Sequence, residues 1–167
     1  MLAQQQRLLQ EKLQVLERLQ SGLAWSLERL PELDSDAIYN PAVSERVAAI
    51  VDRFCKLQDQ MAGTLAHAHS MLGEKRRSFH DVVAWTVTER ILRDENTWLE
   101  LRSLRNRLTH DYDLANDELP ELIALIRKGA TTLTQSGPLN VAGATPLAAA
   151  ATSLKRLCVQ RGLLLST

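Results

Sequence analysis

Cysteine, glycine, proline and aromatic side chains are all scarce in these 167 residues, and each scarcity removes a class of protein. Two cysteines, Cys55 and Cys158, with no Cys-x-x-Cys spacing, leave no disulfide framework and no cysteine-based zinc site. Both lie in apolar helical contexts and are expected as buried thiols of a reducing compartment. Seven glycines, five prolines and no β-branched runs give little material for sheets or hairpins. No apolar run approaches the ~20 residues that a membrane span requires. Formal net charge is zero, from 20 basic and 20 acidic residues, which does not suggest a general nucleic-acid coat, and RNA contact would need a local patch. The opening Met-Leu-Ala-Gln-Gln-Gln-Arg lacks a charged-then-apolar secretory pattern, and a cytoplasmic protein is expected.

What remains is rich in Leu, Ala, Gln, Arg and Glu, all good helix formers. Leu9, Leu13, Leu16, Leu23, Leu27 and Leu30 recur at four-and-three spacing, with Gln20 in the missing place. They predict a first helix over about 2–30, stopped by Pro31, as a seam of an antiparallel bundle or a short coiled coil. After a polar connection over 33–40, Pro41 opens a second helix with Val43, Val47, Ile50, Phe54, Leu57, Met61 and Leu65 on one face. Ser78 and Asp81 form a capping pair for a third helix bearing Val82, Val83, Trp85, Val87 and Ile91. Residues 93–96 read as a turn, and a fourth helix follows from about Thr97 to His110 with Trp98, Leu101, Leu104 and Leu108 inward. Asn116 or Asp117 caps a fifth, carrying Leu119, Leu122, Ile123, Leu125 and Ile126. The fold expected is all-α. An antiparallel helical bundle fills 1–135, residues 136–145 form a linker, and 146–167 add a C-terminal helix outside the five-helix core, to fold back, dock on a partner or stay mobile.

The most informative stretch is Arg105-Asn106-Arg107-Leu108-Thr109-His110-Asp111-Tyr112. It places a permanent cation, an amide, an imidazole and a phenol within two helical turns. Such a set can cut a phosphodiester without a metal: imidazole moves the proton and guanidinium holds developing charge. On an ideal helix Asn106 and His110 share a face, while Arg105 and His110 stand about 140° apart. They converge if the helix unwinds near His110, or if a two-fold dimer sets a second octet opposite. The bland alternative is a helix end whose Arg107 and His110 complement the helix dipole.

The pattern Arg-Asn-x-x-x-His-x-Tyr resembles the signature of HEPN-domain ribonucleases, in particular the HepT-type toxins. The resemblance covers most of the first 130 residues and is strongest over 98–112. It extends more weakly to Phe54-Cys-Lys-Leu-Gln-Asp59. It implies a helical bundle that dimerises and a metal-independent endoribonuclease without cofactor. In that scheme Arg105 and His110 are the catalytic pair and Asn106 the accompanying polar residue. His110 deprotonates the ribose 2′-OH and Arg105 stabilises the phosphorane-like transition state. It further implies an antitoxin partner, a nucleotidyltransferase of the MNT class, that transfers AMP onto Tyr112. The added phosphate charge would stand where RNA phosphate must sit. A non-catalytic HEPN subunit that binds a nucleotidyltransferase and presents its substrate is the alternative.

Gln58 and Asp59, a polar pair in the second helix, either orient His110 or Arg105 by hydrogen bonding or belong to a solvated face. Lys75, Arg76 and Arg77 with Arg102 and Arg107 form either a cationic patch for RNA or simply a soluble turn. His67 and His69, two apart on a helix, point to nearly opposite sides and are not expected to share a metal. No Gly-Ser with a following Asp-x-Asp pair exists, so the chain is not expected to be the nucleotidyltransferase itself. Trp25, Trp85 and Trp98 are read as core or interface anchors.

Overall fold

Pro31 and Pro41 punctuate the first third of the chain, and the first two helices stop and start around them. In the computed structural model, which describes residues 2–33, 39–73, 78–110, 119–131 and 146–164, α1 spans Leu2–Glu28 and α2 Pro41–Met71. α1 closes with the Leu30 amide donating to the Leu27 carbonyl at 3.4 Å, because the residue before a proline disfavours helical torsions. Asn40 caps α2, its side chain accepting from the Ala42 amide at 3.0 Å, and Pro41 takes a position where no N–H is needed. Gly73 follows α2 with φ of 79°, in the left-handed region that favours glycine. The two helices run antiparallel: Gln5 meets His67, Gly22 meets Arg53, and Arg29 meets Arg46.

α3 (Phe79–Thr88), α4 (Glu95–His110), α5 (Leu119–Thr131) and α6 (Pro146–Gln160) complete the order. Among the described residues the structure is all-helical, as expected, with no strand. No helix among them is long and apolar enough to cross a membrane. α3 begins at the expected capping pair, the Ser78 amide donating to Asp81 Oδ2 at 2.8 Å. The anticipated α5 caps, Asn116 and Asp117, and the linker 136–145 lie outside the described residues.

One core joins all six helices. The α2 stripe is buried as predicted from Val43 through Leu65, and it meets Leu9, Leu13, Leu16 and Leu23 of α1. Trp98, 1% exposed, anchors α4. On α3 the prediction was partly displaced. Trp85 and Val87 are only partly buried, while Thr86 sits in the core with its hydroxyl donating to the Val83 carbonyl at 2.6 Å. A hydroxyl satisfied by its own helix can occupy an apolar site.

The last helix is not an appendage outside the core. Ala150, Ala151, Leu154, Leu157 and Cys158 of α6, with Leu163 beyond it, are buried in the shared core. Lys155 pairs with Glu17 of α1 at 2.7 Å, and Arg161 pairs with Glu89 after α3 at 2.8 Å. An Ala- and Leu-rich helix of 15 residues must bury its apolar face against something, and here it uses its own bundle.

α4 starts two residues earlier than predicted because Asp94, read as part of a turn, is its cap. Its carboxylate accepts from the Thr97 amide at 2.7 Å and from the Thr97 hydroxyl at 2.9 Å. These bonds hold the Asp94 carboxyl below its ordinary value of 3.8. The capping contribution is therefore present above that value and lost as pH falls through the lower folded one. Asp94→Ala is expected to cost about 1 kcal/mol at neutral pH. In chemical denaturation, the gap between variant and wild type should close only at strongly acidic pH.

Candidate functional site

α2 and α4 lie side by side, and the site forms where Asp59 of the first faces Arg105 of the second. Asp59 Oδ1 accepts from Arg105 Nε at 3.2 Å and Oδ2 from Nη2 at 2.9 Å. This is the two-pronged carboxylate–guanidinium geometry that only arginine can make. The hydrogen bonds to Asp59 raise the Arg105 pKa further. Neighbouring Gln58, one helical step away, also borders the site but is only 3% exposed, whereas the Asp59 side chain is 55% exposed. Arg105 Nη1 also approaches Asn106 Oδ1, at 3.5 Å.

These residues line an open cleft of about 250 Å³ together with Ala62, Phe79, Trp98 and Arg102. On α4 the spacing Trp98, Arg102, Arg105 and Asn106 is four, three and one, which keeps all four toward the same side. Phe79 comes from the first turn of α3 and packs on Trp98 with ring centroids 5.6 Å apart. The Trp98 Nε1 is buried without a hydrogen-bond partner among the described residues. Two guanidiniums face one carboxylate here, so the cleft carries local positive charge although the chain is neutral.

Beneath Arg105 lies a small supporting group. The Thr109 hydroxyl donates to the Arg105 carbonyl at 2.8 Å, and Cys55 Sγ lies 3.9 Å from that hydroxyl and 4.0 Å from the same carbonyl. Cys55 is half-buried rather than fully buried. Burial pushes its thiol up, against a smaller opposing effect of the Thr109 hydrogen bond. Cys55 packs partly buried against the core.

Of the residues singled out in the sequence, the fold brings together Arg105, Asn106, Gln58 and Asp59. His110 is the last residue of α4, and its side chain lies outside the described residues, as do Tyr112 and the basic run 75–77. Helical backbone continues through His110, so the five steps from Arg105 keep an angular separation of about 140°. Arg102 reaches the cleft, whereas Arg107 does not line it. Phe79 was not singled out, and Cys55 and Thr109 lay within the stretches of resemblance without a part in the site. Only Thr109 carried a signal, its four-residue spacing from Arg105.

The histidine pair diverges as expected: His67 contacts the Gln5 carbonyl at 3.1 Å, while His69 is buried edge-on to Trp85. Among the described residues no group of three or more His, Cys, Asp or Glu side chains stands close enough to hold a metal.

Asp59→Asn keeps one acceptor for Arg105 but removes the charge. Because the Asp59 side chain is more than half exposed, the expected loss of stability is below about 1 kcal/mol. Thermal unfolding of the variant checks this, and a loss of several kcal/mol would make the pair a structural element of the core.

No family model, curated protein or solved structure matches this chain.

Proposed function

We propose that the chain is a HEPN-type, HepT-like toxin: a metal-independent endoribonuclease acting as a homodimer. The observation that supports the reading most is the Arg105 guanidinium, held in two-point contact by Asp59 at the mouth of a cleft on the helix that ends at His110. In this reading His110 takes the 2′-OH proton and the 2′ oxygen attacks phosphorus. The bond to the 5′ oxygen breaks and that oxygen takes a proton from water, while His110 later returns its own to solvent, giving a 2′,3′-cyclic phosphate and a 5′-OH. Arg105 offers donors to the phosphoryl oxygens as charge builds. An intact α4 favours pairing of Arg105 with the histidine of a second protomer, because one straight helix holds its own pair apart.

An MNT-type nucleotidyltransferase is the proposed antitoxin, with AMP transferred to Tyr112. The second reading, a non-catalytic subunit that presents substrate to such an enzyme, draws on the same ion pair. Two Arg105 donors already occupied by Asp59 must be released before they can serve a phosphate. Incubation of single-stranded RNA in EDTA, with Tyr112 shown by mass spectrometry to be unmodified, separates the two. Cyclic-phosphate ends are expected; intact RNA would leave the binding-subunit reading.

A further inference from the structure

We infer that the α1–α2 edge around Trp25 is a binding site for single-stranded nucleic acid, separate from the Arg105 cleft and independent of its chemistry. Trp25 is the one tryptophan turned outward, with 55% of its surface exposed, whereas Trp98 is buried and Trp85 partly buried. Leaving that much indole in water is unfavourable, and arginines surround it instead of apolar side chains. The Arg29 guanidinium carbon stands 4.3 Å from the ring centroid and that of Arg53 stands 5.9 Å away. Arg46 joins them by donating to the Arg29 carbonyl at 2.9 Å. Together with Ala42, Glu45 and Ala49 they border a cavity of about 330 Å³.

The three arginines are not equivalent. Arg53 is committed to the fold, donating through Nη1 to the Gly22 carbonyl and the Ser26 hydroxyl. It fixes the floor beneath Trp25. Arg29 and Arg46 each spend one donor on a backbone carbonyl and retain others of their five. Glu45 and Glu28 offset part of this charge, so the patch suits one or two phosphates rather than a long backbone.

An exposed indole between guanidiniums recognises a flat π-face joined to an anion, which is an unstacked nucleotide. A duplex hides its base faces, and a carboxylate-rich peptide has no use for the indole. A second copy of this chain in two-fold contact would set arginine against arginine. Along α2, Arg46 lies thirteen residues before Asp59, about 20 Å at 1.5 Å per residue, and on a different face. The patch therefore does not extend the cleft.

The test is titration of tryptophan emission with a short 2′-O-methyl oligouridylate, whose capped 2′ oxygen cannot be cut, so the result does not depend on nuclease activity. Quenching is expected in the wild type. Trp25→Ala should lose the quenching and bind about tenfold more weakly by filter assay. Trp25→Phe, which keeps an aromatic face, should bind nearly as well as wild type. Arg46→Ala should flatten the logarithmic salt dependence by about 0.7, one phosphate's share for a single strand. Both positions, Trp25 and Arg46, are solvent-facing, and circular dichroism checks the fold of all three variants. Binding without quenching, equal quenching by a duplex, unchanged affinity in Trp25→Ala, or no binding at low salt would each overturn the inference.

Discussion

Arg105→Ala is expected to lower RNA cleavage in EDTA by about 10²–10³-fold, the usual cost of removing one preorganised donor from a developing oxyanion. His110→Ala should cost about 10²–10⁴-fold, the range for a positioned proton-transfer group. Neither change should unfold the chain: the ion-pair partner of Arg105 is a solvent-facing carboxylate, and the core beside it is carried by Trp98, Leu101, Leu104 and Leu108. Arg105→Lys supplies a sharper readout, because it keeps the charge but cannot reproduce the fork that grips Asp59. A lysine enzyme as active as wild type would reduce the role of Arg105 to bulk charge. Mixing the two inactive variants addresses the 140° separation. If each site takes Arg105 from one protomer and His110 from the other, half the dimers are mixed and each regains one site, about a quarter of wild-type activity. No recovery would place both groups in one protomer. Equal rates for wild type and both single variants would end the nuclease reading.

How far the chain could be read in advance depended on repeat length. α2 spans 31 residues, and seven apolar positions at four-and-three spacing leave little freedom in which face turns inward. α4 was legible in its buried stripe but not in its start, since Asp94 as a cap and Asp94 in a turn look alike until Thr97 closes on it. Trp25 was read with Trp85 and Trp98 as a core or interface anchor, and its step of two residues, about 200°, from buried Leu23 turns it outward. The core position on that face went to Ser26, whose hydroxyl is satisfied by Arg53 of α2, a partner no local pattern reveals. The same holds for Asp59 and Arg105, which lie 46 residues apart in sequence. Adjacent Gln58 and Asp59 differ by 100° on the helix, enough to bury one and expose the other. Sequence period marked the inward face of α2 and α4 but only part of that of α3; which polar residues meet across helices depends on the relative placement of α2 and α4, which no period encodes.

The same limit applied to α6, whose periodicity showed an apolar face but not its neighbour, and Leu154→Ala measures what that face contributes. Leu154 is fully buried in the shared core, beside Ala150, Ala151, Leu157 and Cys158. Truncating a buried leucine costs about 2–5 kcal/mol, the removed methyl and methylene groups plus the cavity they leave. For a chain of this size that corresponds to a fall in Tm of roughly 5–15 °C. On a helix standing free of the bundle the same change would stay within about 0.5 kcal/mol. Lys155→Ala is the paired control: its bond to Glu17 is half-exposed on both sides, so the expected cost is below about 1 kcal/mol. Cys158 offers a second readout, because burial pushes its thiol up to about 11 and shields it from reagents while α6 is docked. In a Cys55→Ser background, Leu154→Ala should speed alkylation of Cys158 in proportion to the lost stability. Unchanged Tm and unchanged labelling would show that the apolar face of α6 contributes little to its docking, whereas a fall in Tm with labelling still slow would mean that the whole bundle loosens while the helix stays seated.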